Sequence, residues 1–182
     1  ADIDAPEAWA LHTGRNNAPV IALIDTGVDY NHPDLKDNIW TNTGEIPDNG
    51  IDDDGNGVID DVHGFNAFEN SGDPMDGHSH GTHCAGSIAG VGDNGQGVVG
   101  VNHHANLMPI KIFNNSGSTN GARHVRGINY ATKMGARITS NSWGGPQPNA
   151  GIKQAFADSP ALHLVAAGNS GASPSGSIWR RS

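Results

Sequence analysis

The run His78-Ser79-His80-Gly81-Thr82-His83-Cys84-Ala85-Gly86 places a titratable imidazole where a general base would be useful. Its small residues, continued by Ser87, Ala89 and Gly90, read as the first turns of a tightly packed helix with His80 at the exposed start. Alone, such a histidine could equally be a cap or a packed core residue. Two other segments bear on the choice. Pro19-Val20-Ile21-Ala22-Leu23-Ile24 is an apolar run ending in Asp25-Thr26-Gly27, which reads as a buried strand delivering a carboxylate at its carboxyl edge. Leu162-His163-Leu164-Val165-Ala166-Ala167 ends the same way in Gly168-Asn169-Ser170-Gly171 and delivers an amide.

The elements that must hold these groups alternate along the chain. The pattern predicts a helix near 82–90, a strand over 107–113, a helix through 121–134, a strand over 137–142, a helix near 150–157 and a strand over 162–167. In the helix at 121–134, Val125, Ile128 and Ala131 share one face. Strands alternating with helices imply an α/β layer fold with a mostly parallel sheet flanked by helices, whose functional groups gather beyond the carboxyl ends of the strands. Asp25, Ser142 and Asn169 all stand at such ends.

The 182 residues are enough to bury about 70 % of the unfolded surface as one domain. Twenty-six glycines against four Trp, four Phe and two Tyr describe tight turns and close backbone contacts. A net charge of -9 argues against nucleic acid or an anionic membrane as partner. No apolar run approaches the roughly 20 residues needed to span a bilayer, and the chain opens on no signal-like segment, so a mature, soluble form is expected. The single cysteine, Cys84, closes no disulfide within the chain and reads as a small buried hydrophobe.

The segment 41–64 stands apart as an acidic surface loop inserted into the domain. Asp52, Asp54 and Asn56 carry oxygens at alternate positions, followed by Gly57, the carbonyl of Val58, and Asp60. Ca2+ takes six to eight hard oxygens, and this alternation is that of a calcium loop without its closing glutamate, with His63 in that place. An unliganded acidic loop is the alternative.

Two competing motifs fail on context. Asp25-Thr26-Gly27 also matches aspartic peptidases, which need two such carboxylates, and Asp-Thr-Gly occurs once here, amid βα alternation. His78-Ser79-His80-Gly81-Thr82-His83 is similar to the His-x-His-x-Asp-His run of zinc hydrolases, but Thr82 stands at the aspartate position, and His103 and His104 follow no ligand pattern.

Asp25-Thr26-Gly27, His80-Gly81-Thr82-His83 and Ala166-Ala167-Gly168-Asn169, in this order, resemble the subtilisin-like serine peptidases, the subtilases. The likeness runs from Ala5-Pro6-Glu7-Ala8-Trp9 through His32-Pro33-Asp34-Leu35 to Gly171. It implies a subtilisin-like three-layer fold and a secreted serine endopeptidase in which Asp25 orients His80, His80 takes a proton from a serine, and the Asn169 amide donates to the oxyanion. It further implies that Ser142-Trp143-Gly144 forms one wall of a peptide groove, that Asn115-Ser116-Gly117-Ser118 forms the other, and that a side-chain pocket lies between 142–144 and Ala166-Ala167-Gly168. A second calcium site is implied at Asp34 and Asp93 with the carbonyls of Val91 and Val98, against the reading of 91–98 as a plain glycine-rich turn. The implied partners are a peptide or protein substrate and, in the full-length form, an inhibitory propeptide.

Subtilases carry their nucleophile in Gly-Thr-Ser-Met-Ala well beyond the Asn169 segment, and these 182 residues contain no such run. The expectation is therefore the N-terminal part of a catalytic domain, a truncated or frame-shifted product that is inactive alone. The alternative is a non-catalytic, calcium-binding module that keeps the peptide groove.

Overall fold

Apolar residues on both sides of a strand require cover on both faces, and β1 (Val20–Asp25) shows how the chain meets that demand. In the computed structural model, which describes residues 3–14, 18–144, 149–169 and 171, Ile21 and Leu23 face one layer, and Ala22 and Ile24 face the other. The first layer is α2 (His80–Ala89), which contributes Ala85 and Ala89. The second is α3 (Gly121–Lys133) with α4 (Ala150–Asp158), which contribute Ile128, Ala131, Ile152 and Ala155.

The sheet between them is parallel throughout. Its order is β2 (Phe65–Asn66), β3 (Asn106–Lys111), β1, β4 (Ile138–Asn141), β5 (Leu162–Val165). β1 lies at the centre, with Asp25 in register with Lys111 of β3 and Leu23 with Ser140 of β4. The connection from β2 to β3 runs through α2 on one face, whereas those from β3 to β4 and from β4 to β5 run through α3 and α4 on the other. This change of face puts a crevice beyond the carboxyl ends of the central strands.

The expected α/β alternation is present, each helix and strand within two residues or so of its predicted bounds. Two elements had no clear periodic signal. They are α1 (Ala5–Leu11), whose Trp9 indole donates to the Val101 carbonyl, and the two-residue β2. The acidic loop differs from a purely surface segment: Asn42, Glu45, Val58 and Asp61 are buried. Asp61 accepts from Asn42, Asn56 and the Tyr130 hydroxyl, so the loop is rooted on α3.

Candidate active site

Asp25 is the last residue of β1, and only 1 % of it is exposed. Its Oδ1 accepts from the Thr26 backbone N–H at 2.7 Å and pairs with His80 Nδ1 at 2.7 Å. A carboxylate only accepts, so Nδ1 carries the proton and Nε2 is left with a free lone pair. The His80 side chain is 47 % exposed. A buried acceptor behind a half-exposed imidazole is the geometry of a base held in one tautomer for proton abstraction.

His80 reaches this position because the start of α2 is capped from outside. Ser79 is the N-cap residue, yet its side chain caps nothing and its φ of 82° is left-handed. Thr26 Oγ1 accepts instead from the Gly81 N–H, and Asp76 Oδ2 accepts from the Thr82 N–H and hydroxyl. Asp76 Oδ1 accepts from the Thr26 hydroxyl and the His78 N–H, which closes the network. Burial would raise the Asp76 pKa, but the bonds from Thr82, His78 and Thr26 outweigh it and hold the carboxyl below its usual value. Gly81 is required at this contact, since a Cβ there would fall 2.0 Å from the Gly27 carbonyl oxygen. Asp76 had no periodic or motif signal of its own, and only the fold brings it to Thr26 of the Asp25-Thr26-Gly27 motif.

The other groups expected at the site belong to the segments that follow β3, β4 and β5. Trp143 is buried, and its Nε1 donates to the Ile24 carbonyl at 2.8 Å, so the 142–144 segment is tied to the end of β1. Gly117 has a φ of 76° and faces His78, whose Nε2 would lie 3.4 Å from a Cβ there. The Ala166 N–H donates to the Asn141 carbonyl, which carries the β4–β5 pairing one residue past β5. Gly168 and Asn169 follow in the exposed segment beyond. Ser170 and Ser175, serines near Asn169, lack the Gly-Thr-Ser-Met-Ala context in the sequence and lie outside the described residues. Cys84, expected to be buried, is partly exposed, and its Sγ lies 4.0 Å from His80 Nδ1, one helical turn away.

Of the histidine run, only His80 joins a group of three metal-capable side chains among the described residues, with Asp25 and Cys84, and its Nδ1 is there bonded to the Asp25 carboxylate. His78 and His83 are exposed, His103 is stacked on Trp9, and none of them joins a group of three metal-capable side chains among the described residues. In the acidic loop, Glu45, Asp52 and Asp54 offer oxygens within 4.8 Å of one another. Glu45 escaped the sequence reading because it lies upstream of the alternating run. Asp52 accepts from the Asn56 and Gly57 N–H groups, which hold its carboxyl below the usual value. Asp60 turns its carboxylate to the N–H groups of Asn49 and Gly50. The Asn56 side-chain oxygen accepts from Val58 N–H. At the second expected site, Asp34 gives one oxygen to Asn94 Nδ2 and the other to the Val98 N–H. The Val91 N–H bonds the Asp34 carbonyl, and Asp93 is exposed with a φ of 59°.

Fold and site together define a parallel α/β domain with an oriented imidazole at the carboxyl edge of its sheet. A profile of the subtilase family matches residues 16–178, and the chain belongs to that family. It is 34 % identical over 172 residues to thermitase from Thermoactinomyces vulgaris, covering 93 % of the chain and 53 % of thermitase. It is 36 % identical over 176 residues to the major intracellular serine protease of Bacillus subtilis, covering 93 % of the chain and 48 % of that protein. Subtilisin-like protease 1 of Plasmodium vivax is 50 % identical over 104 residues, which is 57 % of the chain and 16 % of that protein. The chain thus spans about half the length of the two bacterial relatives and a far smaller part of the plasmodial one.

Proposed function

We propose that the whole protein is a serine endopeptidase of the subtilisin type. His80 acts as general base, Asp25 orients it, and the Asn169 amide donates to the oxygen of the tetrahedral intermediate. The bond of 2.7 Å between a half-exposed imidazole and a buried carboxylate carries this reading, in a chain whose family acts on peptides or proteins. β1 stops at Asp25 while the chain continues past β3 toward Gly117 and past β4 through Ser142 to Gly144. Two strand spacings separate those continuations, about 10 Å, which suits one extended peptide between them. Ala166 and Gly168 border the same edge and carry almost no side chain, which leaves room for a large apolar group beside the scissile bond.

The nucleophile is a serine in a Gly-Thr-Ser-Met-Ala context that these residues do not contain. A fluorophosphonate probe, which labels activated serines, tests the assignment by intact mass. The 182-residue chain stays unlabelled, and a longer product carrying the motif is labelled once. In that product His80→Ala or Asp25→Asn slows labelling about ten-thousandfold, the size of effect known for this triad chemistry. A stoichiometric adduct on the 182-residue chain would overturn the reading. Failure of the longer product to label would favour the alternative, a calcium-binding module that holds peptides without cleaving them.

Calcium is proposed as a structural ion of the acidic loop. Glu45, Asp52, Asp54 and Asn56 would hold it, a hard-oxygen set that fits the ion, and its charge would offset the repulsion among the three carboxylates. At Asp34 the same proposal requires Asn94 and Val98 to release the carboxylate. The extracellular setting rests on the family resemblance, while one relative above is named an intracellular protease. Fractionation of the source cells decides it.

A further inference from the structure

Lys111 closes β3 and is 5 % exposed, yet the His80–Asp25 pair is the sole ion pair within 4 Å among the described residues. A buried ammonium without a counter-ion is unfavourable unless its hydrogens are all well used. Its Nζ donates to the Thr26 carbonyl at 2.7 Å and to Asn115 Oδ1 at 3.1 Å. Thr26 is the residue whose N–H holds Asp25 Oδ1 and whose hydroxyl caps α2. The Asn115 amide lies flat on the backbone of Gly77, where a Cβ would fall 2.3 Å from Asn115 Cγ, and Gly77 belongs to the turn that enters His80. One ammonium therefore joins the segment after the carboxylate to the segment before the imidazole.

The charges facing it are Asp76, Glu69 and Asp73, which pull its pKa up, while burial, the larger effect, pushes it down. The register adds a backbone tie, since Asp25 and Lys111 are paired and the Ile112 N–H donates to the Asp25 carbonyl.

We propose that Lys111 is a positioning residue: its ammonium clamps the Asp25–Thr26 turn to the Asn115 loop and so keeps the carboxylate aligned with His80 Nδ1. This rests on the reading of Asp25 and His80 as the base pair, and it adds a residue that touches neither substrate nor the reacting atoms. Packing alone does not explain it, because a methionine of similar length would fill the same space without donating a hydrogen bond.

The test reads the His80 tautomer by nuclear magnetic resonance of histidine isotopically labelled in the ring nitrogens, in the 182-residue chain, with His80→Gln to assign the signal. Far-ultraviolet circular dichroism monitors the fold. Lys111→Met is expected to lower the ratio of Nδ1–H to Nε2–H tautomer at least threefold, roughly what the loss of a well-aligned hydrogen bond produces. Asn115→Ala, at an exposed position that the fold tolerates, lowers it less but in the same direction. An unchanged ratio in folded Lys111→Met overturns the proposal. Should Lys111→Met not fold, an unchanged ratio in Asn115→Ala overturns it. Asp25→Asn is the control: it must itself reverse the tautomer, and if it does not, the base-pair reading falls first and the proposal with it.

Discussion

Asp25 and Asp61 are both buried carboxylates, at 1 % and 0 % exposure, and they are built for opposite ends. Asp61 accepts from two asparagine amides and a tyrosine hydroxyl, so its role is complete within the fold. Asp25 concentrates its bonds on Oδ1, while Oδ2 is buried and has no hydrogen-bond partner among the described residues. An unsatisfied buried oxygen is unfavourable and marks a group kept for something other than stability. The difference separates an anchor from a working group, which residue type and burial alone do not.

The sharpest way to break this contrast is to remove each carboxylate in turn. Asp61→Ala strands three donors, two of them on buried residues, and should lower stability by about 3 kcal/mol, a fall in melting midpoint of roughly 6–12 °C. Asp25→Asn keeps an acceptor for the Thr26 N–H and should change stability by less than about 1 kcal/mol. Thermal or urea melts of the two variants decide it, and equal losses would erase the distinction.

Calcium sharpens the same comparison from the loop side. An ion that binds only the native state adds about 2.7 kcal/mol at a hundredfold excess over its Kd, which is roughly 5–11 °C in melting midpoint. Glu45→Gln should remove about half of that gain or more, because the ligand charge count sets the affinity. The Asp25→Asn variant should keep the gain in full. Identical midpoints with calcium and with a chelator would exclude the ion from this loop.

The smallest expected effect is on mild acidification. Burial pushes the pKa values of His63, His124 and His163 below the usual histidine value, against weaker opposing pulls from Asp73, the Asn120 carbonyl and the Phe156 carbonyl respectively. Each is favoured neutral in the folded state, so the unfolded chain binds the extra proton first. Stability should be flat above pH ~6.5 and decline as the pH falls below that. Asp76, whose pKa is lowered, adds its own loss only below about pH 4, where the unfolded aspartate protonates. Melts between pH 8 and pH 5 check this, and a His163→Gln variant should show a shallower slope. A midpoint that rises on acidification would contradict it.

The layer fold was legible in the sequence because hydrophobic period is local. The unbroken apolar run at 19–24 and the stripe of Ile128 and Ala131 need no distant partner to be recognised. The role of His80 was legible only through the resemblance of three motifs together, Asp25-Thr26-Gly27, His80-Gly81-Thr82-His83 and Ala166-Ala167-Gly168-Asn169, since alone the histidine could equally be a cap. Glu45 was not, because it lies upstream of the alternating acids and meets Asp52 and Asp54 only through loop closure. The Trp143 indole bond to Ile24 and the Lys111 bond to Thr26 span 119 and 85 residues. The sequence by itself determined the order of strands and helices and which polar residues stand at strand ends. Only the tertiary structure decided which carboxylate oxygen is left open, which distant donors cap α2, and which lysine is enclosed, because hydrogen-bond satisfaction in a buried place depends on neighbours that the chain supplies from far away.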